Sequence, residues 1–130
     1  MITVIKSPFV QYKLTILRNK KTSNTVFRQT MNEISYLIAS DVLQYVPFKK
    51  QTIETPLKKM SGTALGQPII LVPILRAGLG LLEGFAKFLP EAEKGHIGLY
   101  RDEQTYEPVE YLFKLPRVKN KKVLILDPML

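Results

Sequence analysis

The segment Ile69 to Leu75 is seven residues long, wholly apolar and mostly branched. A stretch this short and this apolar reads as a strand buried on both faces, as in a parallel sheet covered by helices. It runs directly into Arg76-Ala77-Gly78-Leu79-Gly80, and Leu79, Leu82, Phe85, Ala86 and Leu89 then recur at helical spacing until Pro90. His96 to Tyr100 reads as a second strand, so the three pieces form a strand–helix–strand unit whose strands are parallel. Residues 101–110 are acidic and turn-like, Tyr111 to Leu115 reads as a hairpin limb, and Val123 to Leu126 is a last buried strand ending in Asp127. The fold class is α/β.

The first half obeys a different rhythm. Val26, Phe27, Met31, Ile34, Leu37, Ile38 and Val42 recur at steps of three and four, which predicts a helix from about Thr22 to just before Pro47. Thr22, Ser23 and Asn24 supply side-chain oxygens for its first free N–H groups. Ile2 to Ile5 and Phe9 to Leu17, separated by Pro8, fit either helix or strand. Residues 47–68 show no sustained period and are punctuated by Pro56, Gly62, Gly66 and Pro68, which predicts mostly loop or short strand.

A length of 130 residues corresponds to one domain or part of one. The longest apolar run, Pro68 to Leu75, is far below the roughly 20 residues that cross a bilayer, so no membrane span is expected. Cysteine is absent, which removes disulfides, thiolate metal sites and Cys nucleophiles, and it fits a reducing, cytoplasmic setting. One histidine, His96, lies at the start of its strand and is read as structural or as a surface group. Of the net charge of +8, residues 1–60 supply +7, with ten basic and three acidic groups, and residues 61–130, with nine and eight, supply +1. Lys20-Lys21, Lys49-Lys50 and Lys58-Lys59 spread that excess without the arm or stacking aromatics of a nucleic-acid module, so a solvated surface is the expectation and nucleic acid is disfavoured.

In open parallel sheets ligands bind beyond the carboxyl ends of the strands. Three such ends carry Arg76, Arg101 and Asp127. Two guanidiniums suit phosphate oxygens, and a carboxylate suits sugar hydroxyls or a hydrated Mg²⁺. Gly78 and Gly80 would allow a ligand close to the start of a helix. Each has a structural counterpart: a surface arginine after a strand, a tight turn, a helix cap. Asp127 also resembles the acid that closes a Walker B strand, but the accompanying Gly-Lys-Ser/Thr loop is absent.

Three strings carry a resemblance. Val72-Pro-Ile-Leu-Arg-Ala-Gly-Leu-Gly80, Tyr100-Arg-Asp-Glu-Gln-Thr-Tyr-Glu-Pro-Val109 and Leu126-Asp-Pro-Met-Leu130 resemble, in order, motifs of the uracil phosphoribosyltransferase family. Pro8 to Arg18 and Phe27-Arg28 are similar to its opening segment, with Ser7 and Tyr12 where the family often has His. The resemblance implies a partial phosphoribosyltransferase-like (Rossmann-like) parallel sheet with flanking helices and a β-hairpin arm at about residues 101–116. It implies transfer of phosphoribose from phosphoribosyl pyrophosphate (PRPP) to uracil, giving UMP and pyrophosphate, with Mg²⁺, activation by GTP, and a homodimer or higher homo-oligomer. It assigns Arg76, Arg101, Asp127, Pro128, Met129 and Leu130 to PRPP, Ala77, Gly78 and Gly80 to the pyrophosphate loop, and an indirect metal role to Asp127. It assigns no catalytic residue and no uracil contact.

The family's last motif continues past the position of Leu130 into a cradle for the 5′-phosphate and, later, a uracil pocket. Residues 1–130 are therefore expected to be a C-terminally truncated domain, with an N-terminal helical segment over 1–60 and the start of the α/β core over 61–130, inactive alone. The alternatives are a non-catalytic remnant that dimerises or binds a phosphorylated ligand and, behind it, a nucleic-acid-binding module. A parallel sheet that closes on a strand without its helix is expected to leave one apolar face open, favouring self-association.

Overall fold

Serine caps helices well, and proline is tolerated in a helix's first turn because its missing N–H would be unpaired there anyway. Ser7-Pro8 satisfies both conditions. The computed structural model describes residues 2–129, and in it α1 spans Pro8–Arg18 with Ser7 Oγ accepting from the Val10 N–H. The segment that fitted helix or strand is thus a helix from its proline onward. α2 spans Asn24–Leu43, capped by Ser23 Oγ accepting from the Val26 N–H, within the limits set by Thr22 and Pro47. Lys13 Nζ stands 2.7 Å from Glu33 Oε2 and ties the two helices together.

Residues 47–68 depart from the loop expectation. β1 (Phe48–Glu54) and β2 (Lys59–Leu65) form a complete antiparallel hairpin, in register from Phe48↔Leu65 to Glu54↔Lys59. The turn is held by Thr55, whose Oγ1 accepts from the Lys58 N–H at 3.1 Å and whose N–H donates to the Lys58 carbonyl at 3.0 Å. The strands lacked a sequence signature for a physical reason. Alternation appears when one face is buried, and β1 is exposed along its whole length. Among the described residues the hairpin packs against no other element. The helical part of residues 1–60 therefore ends at Leu43.

The core forms around β3 (Ile69–Leu75), followed by α3 (Leu79–Phe88), β4 (Glu93–Lys94), β5 (His96–Arg101), β6 (Pro108–Lys114) and β7 (Lys122–Leu126). β3 is central. β4 and β5 run parallel to it on one side, separated by Gly95, whose N–H donates to the Leu71 carbonyl; β7 runs parallel to it on the other. β6 returns antiparallel along β5, with a bulge between Gly98 and Leu99, and makes the expected arm.

The parallel register Leu71↔Leu124 and Pro73↔Leu126 sorts the side chains by face. Ile69, Leu71 and Leu126 pack with Leu81, Phe85 and Leu89 of the α3 region and with Ala39 and Val46. Burying a side chain such as Phe85 is worth about 1.5–3 kcal/mol. Ile70, Val72 and Ile74 point the other way, beside Val123, Ile125 and Ile97. No helix among the described residues lies on that face, yet Ile70 and Val72 are fully buried there, and the exposure falls on Ile125 of β7, at 63%; the face is open along β7 and not across its whole width.

Candidate functional site

Parallel pairing fixes where the polar strand ends fall. Because β5 and β7 both run parallel to β3, Arg76, Arg101 and Asp127 all lie at the same, carboxyl-terminal edge of the sheet. They differ in height. Asp127 follows Leu126, which pairs with Pro73, and so lies level with Ile74; Arg101 lies three residues beyond Gly98, which pairs with Leu75. At ~3.3 Å per residue Arg101 projects roughly 10 Å past the end of β3. All three residues are exposed, and among the described residues no ion pair or hydrogen bond joins them. The two cations are thus free to meet an anion. His96 opens β5 and lies away from this edge.

The turn from β3 into α3 is built more tightly than its sequence suggests. The Leu75–Arg76 peptide is cis. The Gly78 N–H donates to Ile74 O at 2.7 Å, Leu79 N–H to Arg76 O at 3.1 Å, and Gly80 N–H to Ala77 O at 3.1 Å. Neither the Arg76 nor the Ala77 amide is a donor in these turn bonds. The reason for the two glycines also differs from the one expected. A β-carbon on Gly78 would collide with the Leu126 carbonyl oxygen and stand 2.6 Å from Ile74 N, and one on Gly80 would stand 2.8 Å from Met31 Cγ. Both missing side chains face inward, toward β7 and α2, rather than toward a ligand. Both residues have negative φ, so close approach and not a left-handed conformation demands glycine here.

Arg101 is followed by a pinned loop. Asp102 Oδ1 accepts from the Thr105 N–H at 2.8 Å, the Gln104 N–H at 2.9 Å and the Thr105 hydroxyl at 3.1 Å. The Thr105 amide, then the Gln104 amide and the Thr105 hydroxyl hold its carboxyl below the usual carboxylate range. Asp102 N–H also donates to Glu107 O at 2.9 Å, and Tyr106 takes a positive φ of 59°. Asp followed three residues later by Thr was the sequence signal for this anchor. Asp127 behaves similarly, its Oδ1 accepting from the Met129 N–H at 3.0 Å, which leaves Oδ2 for a ligand.

A groove of about 680 Å³ opens beside this edge, between α2 and the start of α3. Phe27, Arg28 and Asn32 line one wall, Ala77 and Glu83 another, and Pro128 and Met129 the end. Asn32 Nδ2 donates to Glu83 Oε2 at 2.9 Å across the helices. Sequence reasoning missed this pair, because residues 51 positions apart leave no local signal. Pro128 and Met129 close the end of this groove, while Leu130 lies outside the described residues.

Comparison with known proteins bears on what this edge is. The family described as "Uracil phosphoribosyltransferase" matches residues 4–130. The chain belongs to the uracil phosphoribosyltransferase family. It is 46% identical over 129 residues to the uracil phosphoribosyltransferase of Levilactobacillus brevis, covering 98% of this chain and 62% of that protein. With that of Finegoldia magna the identity is 47% over 131 residues, covering 99% and 63%. A solved protein structure from Aquifex aeolicus superposes with a TM-score of 0.89 at 33% identity, over 98% of this chain and 62% of that one. The chain therefore spans about 62% of the length of these relatives. Within it lie the family's strings around Arg76, Arg101 and Asp127.

Proposed function

We propose that this chain carries the phosphoribosyl pyrophosphate side of a uracil phosphoribosyltransferase. The observation that supports this most is the common edge, where two exposed guanidiniums and one carboxylate follow three parallel strands of a chain in that family. In the reaction the C1–O bond to pyrophosphate breaks, the bond from uracil N1 to C1 forms, and the N1 proton is released. Negative charge grows on pyrophosphate while the ribose becomes cationic.

Arg76 and Arg101 are suited to the leaving group, because a guanidinium can fork onto phosphate oxygens and its attraction grows as negative charge develops on pyrophosphate. The Ala77 amide adds a donor beside Arg76, with Gly78 and Gly80 shaping the turn. Asp127 would accept from ribose hydroxyls, and Pro128, Met129 and Leu130 would continue its loop. Residues for uracil are not assigned.

Among the described residues no group of three His, Asp or Glu side chains gathers to hold a metal ion. Mg²⁺ carried on substrate phosphates commonly uses one or two protein carboxylates and several waters. Asp127 would hold such an ion through water, and the ion would supply charge neutralisation on pyrophosphate. A homo-oligomer, GTP activation and a cytoplasmic setting belong to the same proposal. The projecting hairpin and arm, with Leu57 95% exposed and Tyr106 and Phe113 exposed, support contact with a second copy. No described helix is long and apolar enough to cross a membrane.

The test is titration calorimetry with PRPP and Mg²⁺, followed by measurement of UMP from labelled uracil. Saturable PRPP binding is expected. Binding without UMP favours the non-catalytic reading; no binding at any salt concentration overturns the proposal.

A further inference from the structure

Arg101 stands where the sheet has almost ended. β5 is paired with β3 at Ile97 and Gly98, and from Leu99 onward β6 is its one neighbour among the described residues. A two-stranded ribbon in water is marginal by itself. Arg101 is also the last paired residue of β5, and its partner Pro108 has no N–H to give. Unless the ladder is closed beyond it, the guanidinium rides on a fraying end.

Residues 102–107 make that closure. Asp102 N–H donates to Glu107 O at 2.9 Å and Tyr106 N–H to Asp102 O at 2.9 Å, so one residue closes the turn through both of its backbone groups. Its side chain adds to this. Asp102 Oδ1 accepts from the Gln104 and Thr105 amides and from the Thr105 hydroxyl, and Thr105 Oγ1 accepts in turn from the Glu107 N–H at 3.3 Å. Tyr106 sits at a positive φ of 59°, uncommon for a residue other than glycine, and these bonds hold the turn in that form. Asp102 and Arg101 are adjacent and opposite in charge, yet among the described residues no ion pair joins them. The carboxylate is engaged with the loop and leaves the guanidinium to a ligand.

We infer that Asp102 is a positioning residue: by closing the 102–107 loop it holds the end of the β5–β6 ribbon and so fixes where Arg101 presents its charge to an anionic ligand. The inference rests on the reading of Arg101 as a contact to PRPP. A negative charge beside that contact is unfavourable in itself, since it repels a phosphorylated ligand. By charge alone, removing Asp102 should tighten binding; by positioning, it should weaken binding. The two effects have opposite signs.

The experiment is calorimetry of PRPP with Mg²⁺ on the chain and its variants, with hydrogen exchange across the loop on the same samples. Asp102→Ala is expected to weaken PRPP binding about three- to tenfold, the scale of a lost hydrogen bond, and to speed exchange at the Gln104 and Thr105 amides by a similar factor. Asp102→Asn keeps an acceptor without the charge and should recover most of the affinity. In an Arg101→Ala background, adding Asp102→Ala should weaken binding no further, because Asp102 acts through Arg101. Thr105→Val leaves every charge in place and should give a smaller loss in the same direction. Unchanged or tighter binding by Asp102→Ala, where Arg101→Ala is weakened, overturns the inference and leaves the proposed function standing. So does an equal loss from Asp102→Ala with and without Arg101. If Asp102→Ala does not fold, Thr105→Val decides, and its unchanged affinity overturns the inference. Absence of PRPP binding by the unaltered chain defeats the proposed function itself, and with it the role of Asp102 in binding.

Discussion

The α-carbon of Gly78 lies against the carbonyl oxygen of Leu126, so the turn leaving the central strand touches the end of the neighbouring strand directly. This contact joins the position of Arg76 to that of Asp127, because one residue of each strand end is locked to the other. An added methyl would also meet Ile74 N at 2.6 Å and Ile74 O at 2.7 Å, all of them backbone atoms that cannot rotate away. Gly78→Ala is expected to destabilise the chain by about 2–3 kcal/mol, as overpacking does. Urea unfolding checks this, and an unchanged midpoint would show that the two strand ends are not locked.

A second close approach sets the angle of α2 on α3. The Ser35 hydroxyl donates to the Leu81 carbonyl, and a β-carbon on Gly84 would stand 2.6 Å from the Ser35 carbonyl carbon. Ser35→Ala removes one buried hydrogen bond and should cost about 1 kcal/mol. Gly84→Ala should cost more, about 1–3 kcal/mol, since the helices must part. Comparing the two variants by thermal unfolding tests the order.

Arg76 and Arg101 are exposed and make no ion pair among the described residues, so neither should matter to folding. Arg76→Ala and Arg101→Ala are each expected to weaken PRPP binding by about 10- to 100-fold, the range for a lost charge-assisted contact, with unfolding unchanged. Arg101→Lys should recover only part of the loss if the guanidinium forks onto phosphate. Calorimetry decides, and equal affinity for Arg101→Ala would remove that residue from the site.

Two carboxylates give the fold an acid dependence with a definite sign. Glu33 is held below its ordinary range by the Lys13 ammonium first and by Gln29, and Asp102 by the Thr105 and Gln104 amides. Since folding lowers both values, their stabilisation is complete above the ordinary carboxylate range of about 4 and is lost as pH falls through the lowered folded values. Stability measured from pH 6 down to pH 2 should fall in that window. Asp102→Asn should flatten the fall and loosen exchange at Thr105, and an identical profile in the variant would exclude Asp102 as a source.

Much of this was legible in the linear chain because the signals were local. The apolar run Ile69 to Leu75, the helical spacing of Val26 to Val42 and the polar strand ends at Arg76, Arg101 and Asp127 follow from short-range patterns that burial imposes. The β1–β2 hairpin was not legible, because alternation needs a buried face and these strands have none. The meaning of Gly78, Gly80 and Gly84 was not legible either, since each is required by a backbone or side chain distant in sequence.

The sequence by itself thus determined the element types, the parallel unit and the family strings, all of which depend on residues within a few positions of one another. Tertiary structure alone decided how far Arg101 stands beyond Arg76 and Asp127 along their edge, that Asn32 bonds Glu83, and that Gly78 meets Leu126. Those facts depend on strand register and on helix packing, where partners up to tens of residues apart meet only once the core has closed.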